Sequence, residues 1–322
     1  MNPGSGGDVL IKGEGIAALT AAWVLLESGV SVAIQQEVFS QRPILMLPEN
    51  TRWLLTDSWK LENDFWAATY PIFSKRVVSA TGQVDQFPYK AAVVSQNYLQ
   101  QTLKCRLKSG FPSVRWLAPG AIPESAGYDW IVNSVAQHEL AYHHFGSRTV
   151  TSFLFAYREI DTDNNYCQMM QTENAWFFLF PVNKQTGCLQ VMHLPGDDQC
   201  WETVLKIVEG KIGPGVIAGQ AGTKVIFPAY PRVIQKLFDK NEIAIGQSVA
   251  RYDPIAGDGT GNAIRSAVWA SRIIIKSIEK EEVTALLRSY QTAISKHFND
   301  HLGICAGFYK DYKGWGNELI LK

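Results

Sequence analysis

The stretch IKGEGIAALTAAWVLLESGVSVAIQQE, residues 11–37, constrains the fold of this chain more than any other segment. Asp8 to Lys12 is a run of β-branched and apolar residues that leads directly into Gly13-Glu14-Gly15-Ile16-Ala17-Ala18. Leu19, Ala22, Trp23 and Leu26 then repeat at three- and four-residue steps until Gly29, and Val30 to Ile34 is again strand-like. Strand, glycine turn, helix and strand in this order make a parallel β-α-β unit, the context in which G-x-G-x-x-A carries meaning. Gly13 permits a tight turn, Gly15 lets backbone approach a pyrophosphate, and Ala18 is small enough for close helix–strand packing. Ile16 and Ala17 begin the helix, whose free N–H groups face the anion. The alternative is a β-α-β unit whose glycines serve packing alone.

At the end of the second strand this pattern has an acid that hydrogen-bonds ribose hydroxyls, and the register here puts Gln36 there, between Gln35 and Glu37. An amide oxygen still accepts an O–H, without the charge-assisted strength of a carboxylate. Glu37 substitutes if the strand ends one residue later.

Residues 242–275, EIAIGQSVARYDPIAGDGTGNAIRSAVWASRIII, hold a second glycine cluster: a strand over Glu242–Ile245, a loop over Gly246–Gly261 and a helix over Asn262–Ile275. Two glycine turns, one at each end of the chain, suit one long cofactor gripped by both. The pairing of G-x-G-x-x-A with a late G-D-x(6)-P-x-x-G-x-G segment resembles the FAD-dependent aromatic hydroxylases and the related flavin-dependent tryptophan halogenases. Gly246, Pro254, Gly257 and Gly259 fall on the pattern, and Gln247 stands where the family has Asp. Asp253-Pro254, Ile264-Arg265-Ser266-Ala267, Phe178-Leu179-Phe180-Pro181 and Gly307-Phe308-Tyr309 resemble the halogenase-related branch. The resemblance implies FAD, held by Gly13, Gly15, Ile16, Ala17, Ala18, Gln36, Glu37, Arg42, Gln96, Gly246, Gln247, Pro254, Gly257, Asp258, Gly259, Gly261 and Asn262. It also implies an α/β fold in which a Rossmann-like FAD-binding domain carries an inserted antiparallel-sheet substrate domain and C-terminal helices.

Departures from the family narrow this expectation. The family's V-S-R-x-x-L reads Val94-Ser95-Gln96-Asn97-Tyr98-Leu99 here, so Gln36, Gln96 and Gln247 replace cofactor-facing charges by amides. The strand over Tyr128–Ser134 continues into Val135-Ala136-Gln137 without the D-G motif associated with reduced nicotinamide. Gln41 to Pro48 offers no lysine of the kind that marks the halogenases, which favours hydroxylation. Arg42 is either a flavin-phosphate contact or a solvated surface residue.

The inferred organisation is a FAD-binding domain in three segments (1–70, 91–145 and 236–281), a substrate domain (71–90 and 146–235) and C-terminal helices (282–322). RTVTSFLFAYREI, NAWFFLF and CLQVMHL alternate as an antiparallel sheet, and KVIFPAYPRV, residues 224–233, reads as the strand returning to the cofactor domain. Trp176, Phe177, Phe178, Trp201, Phe227 and Tyr230 fit a pocket lining or, more ordinarily for strands, the sheet core. His138, His143 and His144 lack zinc spacing, and the five cysteines contain no C-x-x-C.

Thirty basic and thirty acidic side chains cancel with no Lys/Arg block, so nucleic acid and anionic membrane are not expected partners. The absence of a long apolar run argues against a membrane span, and a cytoplasmic location is the default expectation. In the family, reduced flavin and O₂ form a C4a-hydroperoxide that an electron-rich ring attacks, so no protein nucleophile is needed and no catalytic residue is named. Length and motif style resemble the maturase flavoproteins that oxidise a tryptophan of a quinoprotein amine or amino-acid oxidase, generating tryptophylquinone. The expected partner is then a quinoprotein oxidase precursor. The alternatives are a small aromatic substrate, hydroxylated or halogenated, and a degenerate flavoprotein that only binds a partner.

Overall fold

A computed structural model describes residues 8–37, 44–79, 82–121, 127–135, 141–157, 165–172, 175–194, 201–212, 217–220 and 224–310. The expected β-α-β unit nucleates a sheet of six strands in the order β16 (Phe238–Asp239), β17 (Glu242–Ala244), β7 (Trp130–Asn133), β1 (Asp8–Lys12), β2 (Ser31–Gln35), β6 (Arg115–Leu117). All neighbours are parallel except β16 and β17. Val9, Leu10 and Ile11 are fully buried, as parallel strands covered on both faces require. α1 (Ile16–Glu27) buries Ala18, Leu19, Ala21, Ala22 and Leu25 against the sheet and against α6 (Gly259–Ile278). Gly29, at φ +78°, ends α1: its N–H donates to the Leu26 carbonyl and the Val30 N–H to that of Leu25. This pairing satisfies two of the last helical carbonyls.

A larger sheet runs β13 (Ile217–Gln220), β9 (Thr149–Tyr157), β12 (Thr186–His193), β11 (Trp176–Pro181), β10 (Tyr166–Gln171), β4 (Tyr70–Val78), β5 (Val84–Ser95), β3 (Ile44–Pro48), with β14 (Val225–Pro228) also on β9. It is antiparallel except for the β10–β4 pair. Alternation along the strands splits its residues between two faces. Phe153, Phe155, Phe177, Leu179, Leu189 and Val191 form one, under Val204 and Val208 of α5 (Trp201–Ile212). Ile72, Ala91, Val93, Cys167, Phe180 and Cys188 form a cluster on the other, flanked by half-buried Met46, Tyr89, Leu154 and Phe178.

A third sheet joins β18 (Ala250–Arg251), β15 (Arg232–Ile234) and β8 (Tyr142–His144). α2 (Glu49–Trp59) and α4 (Gln96–Gly110) pack on α1, α3 (Asn63–Ala67) buries Phe65 in the same core, and α7 (Thr284–Tyr309) packs Leu287, Tyr290, Phe298 and Leu302 into it.

Three expectations need correction. β2 begins and ends one residue later than expected, so Gln35 belongs to the strand and Gln36 is the first residue beyond it. The second helix starts at Gly259 rather than Asn262: Asp258 forms its N-cap, and Gly261, where a Cβ would strike Asp258 and Thr51, lies within its first turn. Residues 224–233 are not one returning strand: β14 stays on β9 in the large sheet, and the chain crosses only afterwards to β15.

Candidate functional site

The sheet order reverses between β1 and β7, and the first glycine turn lies there, outside the carboxyl ends of the strands where open α/β sheets bind ligands. Gly13 adopts φ +104° and donates its N–H to the Gln35 carbonyl at 2.9 Å. A Cβ on it would lie 2.4 Å from Ser134 Oγ and 2.9 Å from Val135 Cγ2, so the turn requires glycine twice over. Gly15 is the extended N-cap of α1, and no side chain caps it. The first N–H groups of α1, from Ile16, Ala17 and Ala18, therefore stay available to an anion.

The second turn comes to the same place. Gly246 sits at φ +59° with its N–H on Ser266 Oγ, 2.9 Å away, and a Cβ on it would lie 2.7 Å from Ala17 Cβ. Two segments about 230 positions apart in the chain thus touch at the head of α1. Gln247 beside it is exposed, and its carbonyl accepts from Arg232 at 3.4 Å. Pro254 is exposed at the start of a single 3₁₀ turn that ends at Gly257, φ +65°, opposite the Tyr89 hydroxyl. Asp258 forms the N-cap of α6, accepts from Thr51 Oγ1 at 2.9 Å and is ion-paired with Arg265. Gly259 opens α6; Gly261 is buried against Asp258 and Thr51; Asn262 Oδ1 accepts from Arg265 at 2.7 Å. Gln96 heads α4 and is buried, with no hydrogen-bond partner for its Oε1 among the described residues. Arg42 lies outside the described residues.

At the end of β2, a cleft of about 240 Å³ is lined by Lys12, Gly13, Gln35, Gln36, Glu37, Pro119, Gly120 and Val135. Burial, helped by the nearby Glu14 carboxylate, raises the Glu37 carboxyl above the usual range. Glu14 pairs with Lys104 at 2.7 Å and accepts from Gln36 Nε2 at 3.3 Å.

Sequence reasoning missed two groups because their members come from distant segments. Arg148 and Asp253, both with fully buried side chains, pair at 3.1 Å; Tyr309 Oη donates to Asp253 at 2.9 Å, and the Asp253 N–H donates to His301 Nε2 at 2.8 Å. The cluster ties the large sheet and α7 to the turn that begins at Pro254. Burial, assisted by His297 and Arg148, holds His301 down to about 4, so it serves as a neutral acceptor. The second group is Lys75, whose Nζ lies 5.8 Å from the Tyr89 ring. Burial lowers the Lys75 pKa and drives that of Tyr89 up to about 12. A desolvated amine beside a buried phenol is a functional candidate that only strand pairing reveals.

The residues present fit a dinucleotide cofactor: an uncapped helix start, two glycine turns in contact, and a buried amide oxygen still open to a donor. No protein-family model matches the chain, and no curated protein matches it. Solved structures do. CmlS, a flavin-dependent halogenase, superposes with a TM-score of 0.84 at 14% identity over 98% of this chain and 68% of its own. The myxobacterial chondrochloren halogenase CndH, a FAD-dependent halogenase, gives 0.81 at 12% identity over 98% and 86%. The peptidyl tryptophan dihydroxylase QhpG gives 0.76 at 14% identity over 96% and 76%. The fold is therefore the Rossmann-like FAD-binding α/β fold with an inserted sheet domain, shared by flavin-dependent halogenases and hydroxylases. None of the helices among the described residues is long and apolar enough to cross a membrane.

Proposed function

We propose that this chain is a FAD-dependent oxidoreductase that oxidises the ring of a small aromatic compound, by oxygenation or halogenation. The observation that carries the reading is the contact between the two glycine turns, Gly246 against Ala17, with Gly257 of the second turn facing Tyr89 on an apolar face of the inserted sheet. FAD bound there supplies activation of dioxygen by its reduced ring. The chain's own residues bind and enclose. The free N–H groups of α1 receive the pyrophosphate, and Gly13 and Gly246 let backbone come close. Gln96 offers its unpaired amide oxygen. Met46, Tyr89, Leu154 and Phe178 form an apolar wall that keeps water from the reacting ring. Lys75 provides an amine beside Tyr89 that can hold or release a proton.

A second substrate class, a tryptophan side chain of a quinoprotein oxidase precursor, has one specific support: the likeness in fold to a peptidyl tryptophan dihydroxylase. The test starts with the visible spectrum of the purified protein after incubation with excess FAD and removal of free flavin. Retained absorbance near ~450 nm is expected for a bound oxidised flavin. A colourless protein sinks the reading and favours a partner-binding relic. The loaded protein, supplied with reduced flavin and oxygen, is then offered indoles and phenols with and without halide, and a tryptophan-containing precursor. Turnover of the precursor alone replaces the small-molecule reading by the second.

A further inference from the structure

The three-stranded sheet carries a row of positive charge. In its antiparallel register Arg232 of β15 stands directly opposite Arg251 of β18 and His144 of β8. Residues so placed project their side chains from one face of the sheet, about 4.5–5.5 Å apart at Cβ, and like charges there repel. Two tyrosine rings line the row: the Arg232 guanidinium lies 4.4 Å from the Tyr142 centroid and that of Arg251 5.5 Å from Tyr230, with His144 5.4 Å from Tyr230. Arg232 is only 9% exposed, and its Nε has no hydrogen-bond partner among the described residues. No ion pair among the described residues includes it. A guanidinium so deeply buried is costly to keep without a counter-charge. Burial, and then the charges of Arg232 and Arg251, lower the His144 pKa, so the field along the row is positive. The second glycine turn meets this row and the head of α1 with different atoms. Gly246 packs on Ala17, whereas the carbonyls of Gln247 and Ser248 accept from Arg232 Nη2 at 3.4 Å and from Tyr142 Oη at 3.1 Å.

We propose that Arg232 and Arg251 form an anion site separate from the dinucleotide cleft, with His144 at its exposed rim, and that its ligand is a phosphate group, free or carried by a small molecule. The open Nε of Arg232 is the donor that the ligand satisfies, and Arg251 across the strand pair supplies the second guanidinium. A phosphate presents three terminal oxygens and close to two charges, enough to engage both guanidiniums at once, whereas a carboxylate fills a single fork. An anion held there also offsets the repulsion between the facing arginines, so its binding stabilises the fold. The site does not depend on flavin, since its donors come from the third sheet and not from the residues that line the glycine turns.

The experiment titrates the full chain with inorganic phosphate, ribose 5-phosphate and acetate by calorimetry at constant ionic strength, with and without saturating FAD, and circular dichroism verifies folding. Wild type should bind one phosphate saturably, prefer it to acetate by about tenfold or more, and melt at a higher temperature in its presence. Arg232→Gln and Arg251→Gln should each weaken phosphate by about tenfold or more, and Arg232→Lys, which keeps the charge and loses the fork, should fall between them and wild type. Tighter binding of ribose 5-phosphate assigns the site to a phosphate ester, and tighter binding of inorganic phosphate assigns it to the free ion. No saturable binding to wild type, equal affinity for acetate, or wild-type affinity in both glutamine variants overturns the proposal. Should Arg232→Gln not fold, Arg251→Gln and Arg232→Lys decide in the same way. Displacement of phosphate by FAD overturns the separateness of the site, whereas a chain that takes no FAD but binds phosphate through Arg232 defeats only the flavin reading.

Discussion

Replacing Gly246 by alanine tests whether the two glycine turns are packed against one another as described. Two costs act together. The residue sits at φ +59°, where a side chain costs roughly 1–2 kcal/mol. The new Cβ would lie 2.7 Å from Ala17 Cβ, well inside contact, and overpacking of that kind costs about 1–3 kcal/mol. Gly246→Ala should therefore lose about 2–5 kcal/mol in urea unfolding, a visible shift of midpoint at unchanged slope. It should also bind FAD more weakly, because the strain falls at the start of α1. Adding Ala17→Gly removes the clash and leaves the backbone cost, so the pair should regain up to about 2 kcal/mol net of the glycine penalty in α1. A single variant at the wild-type midpoint, or an Ala17→Gly change that only adds to the damage, would refute the reasoning.

Gly13→Ala should abolish flavin retention and lower the melting temperature, since its Cβ would strike Ser134 and Val135 at φ +104°; retention after gel filtration is the check. His301 ordinarily titrates near 6.5 and is held to about 4 in the fold. Its depressed value makes its contribution fully present above pH 6.5 and lost as pH falls toward 4, on the order of 3 kcal/mol at 1.36 kcal/mol per unit. His301→Gln, which keeps an acceptor for the Asp253 N–H, should shrink the difference between urea midpoints at pH 7 and pH 4.5; an undiminished difference counts against the buried neutral imidazole. Burial depresses the Lys75 amine, so its contribution is favourable only above the ordinary lysine pKa and is lost as pH falls through the depressed value. Lys75→Met should thus be more stable than wild type at pH 7, with the gap closing toward pH 10, and should turn over aromatic substrates more slowly. Equal midpoints at pH 7 would contradict its desolvation.

How much was legible in the sequence differs from element to element. Residues 8–35 were readable as a β-α-β unit because apolar periodicity, a glycine turn and a glycine stop act within a few positions of one another. The antiparallel character of 149–193 followed from alternation in the same way, although β10, with its run of Tyr166 to Gln171, has no alternation to expose it and pairs in parallel with β4. The glycines at 13, 246 and 257 could be named because each takes a positive φ that disfavours a side chain. Which groups they meet could not. That Glu14 faces Gln36 and Lys104, that Arg148 meets Asp253 and Tyr309, and that Lys75 lies beside Tyr89 are pairings across tens to hundreds of positions. The sequence by itself determined local backbone and which faces must be buried, since these follow from the chemistry of neighbouring residues. Only the tertiary structure decided which polar groups share a site, because a charged side chain carries no mark of the partner that packing will bring to it.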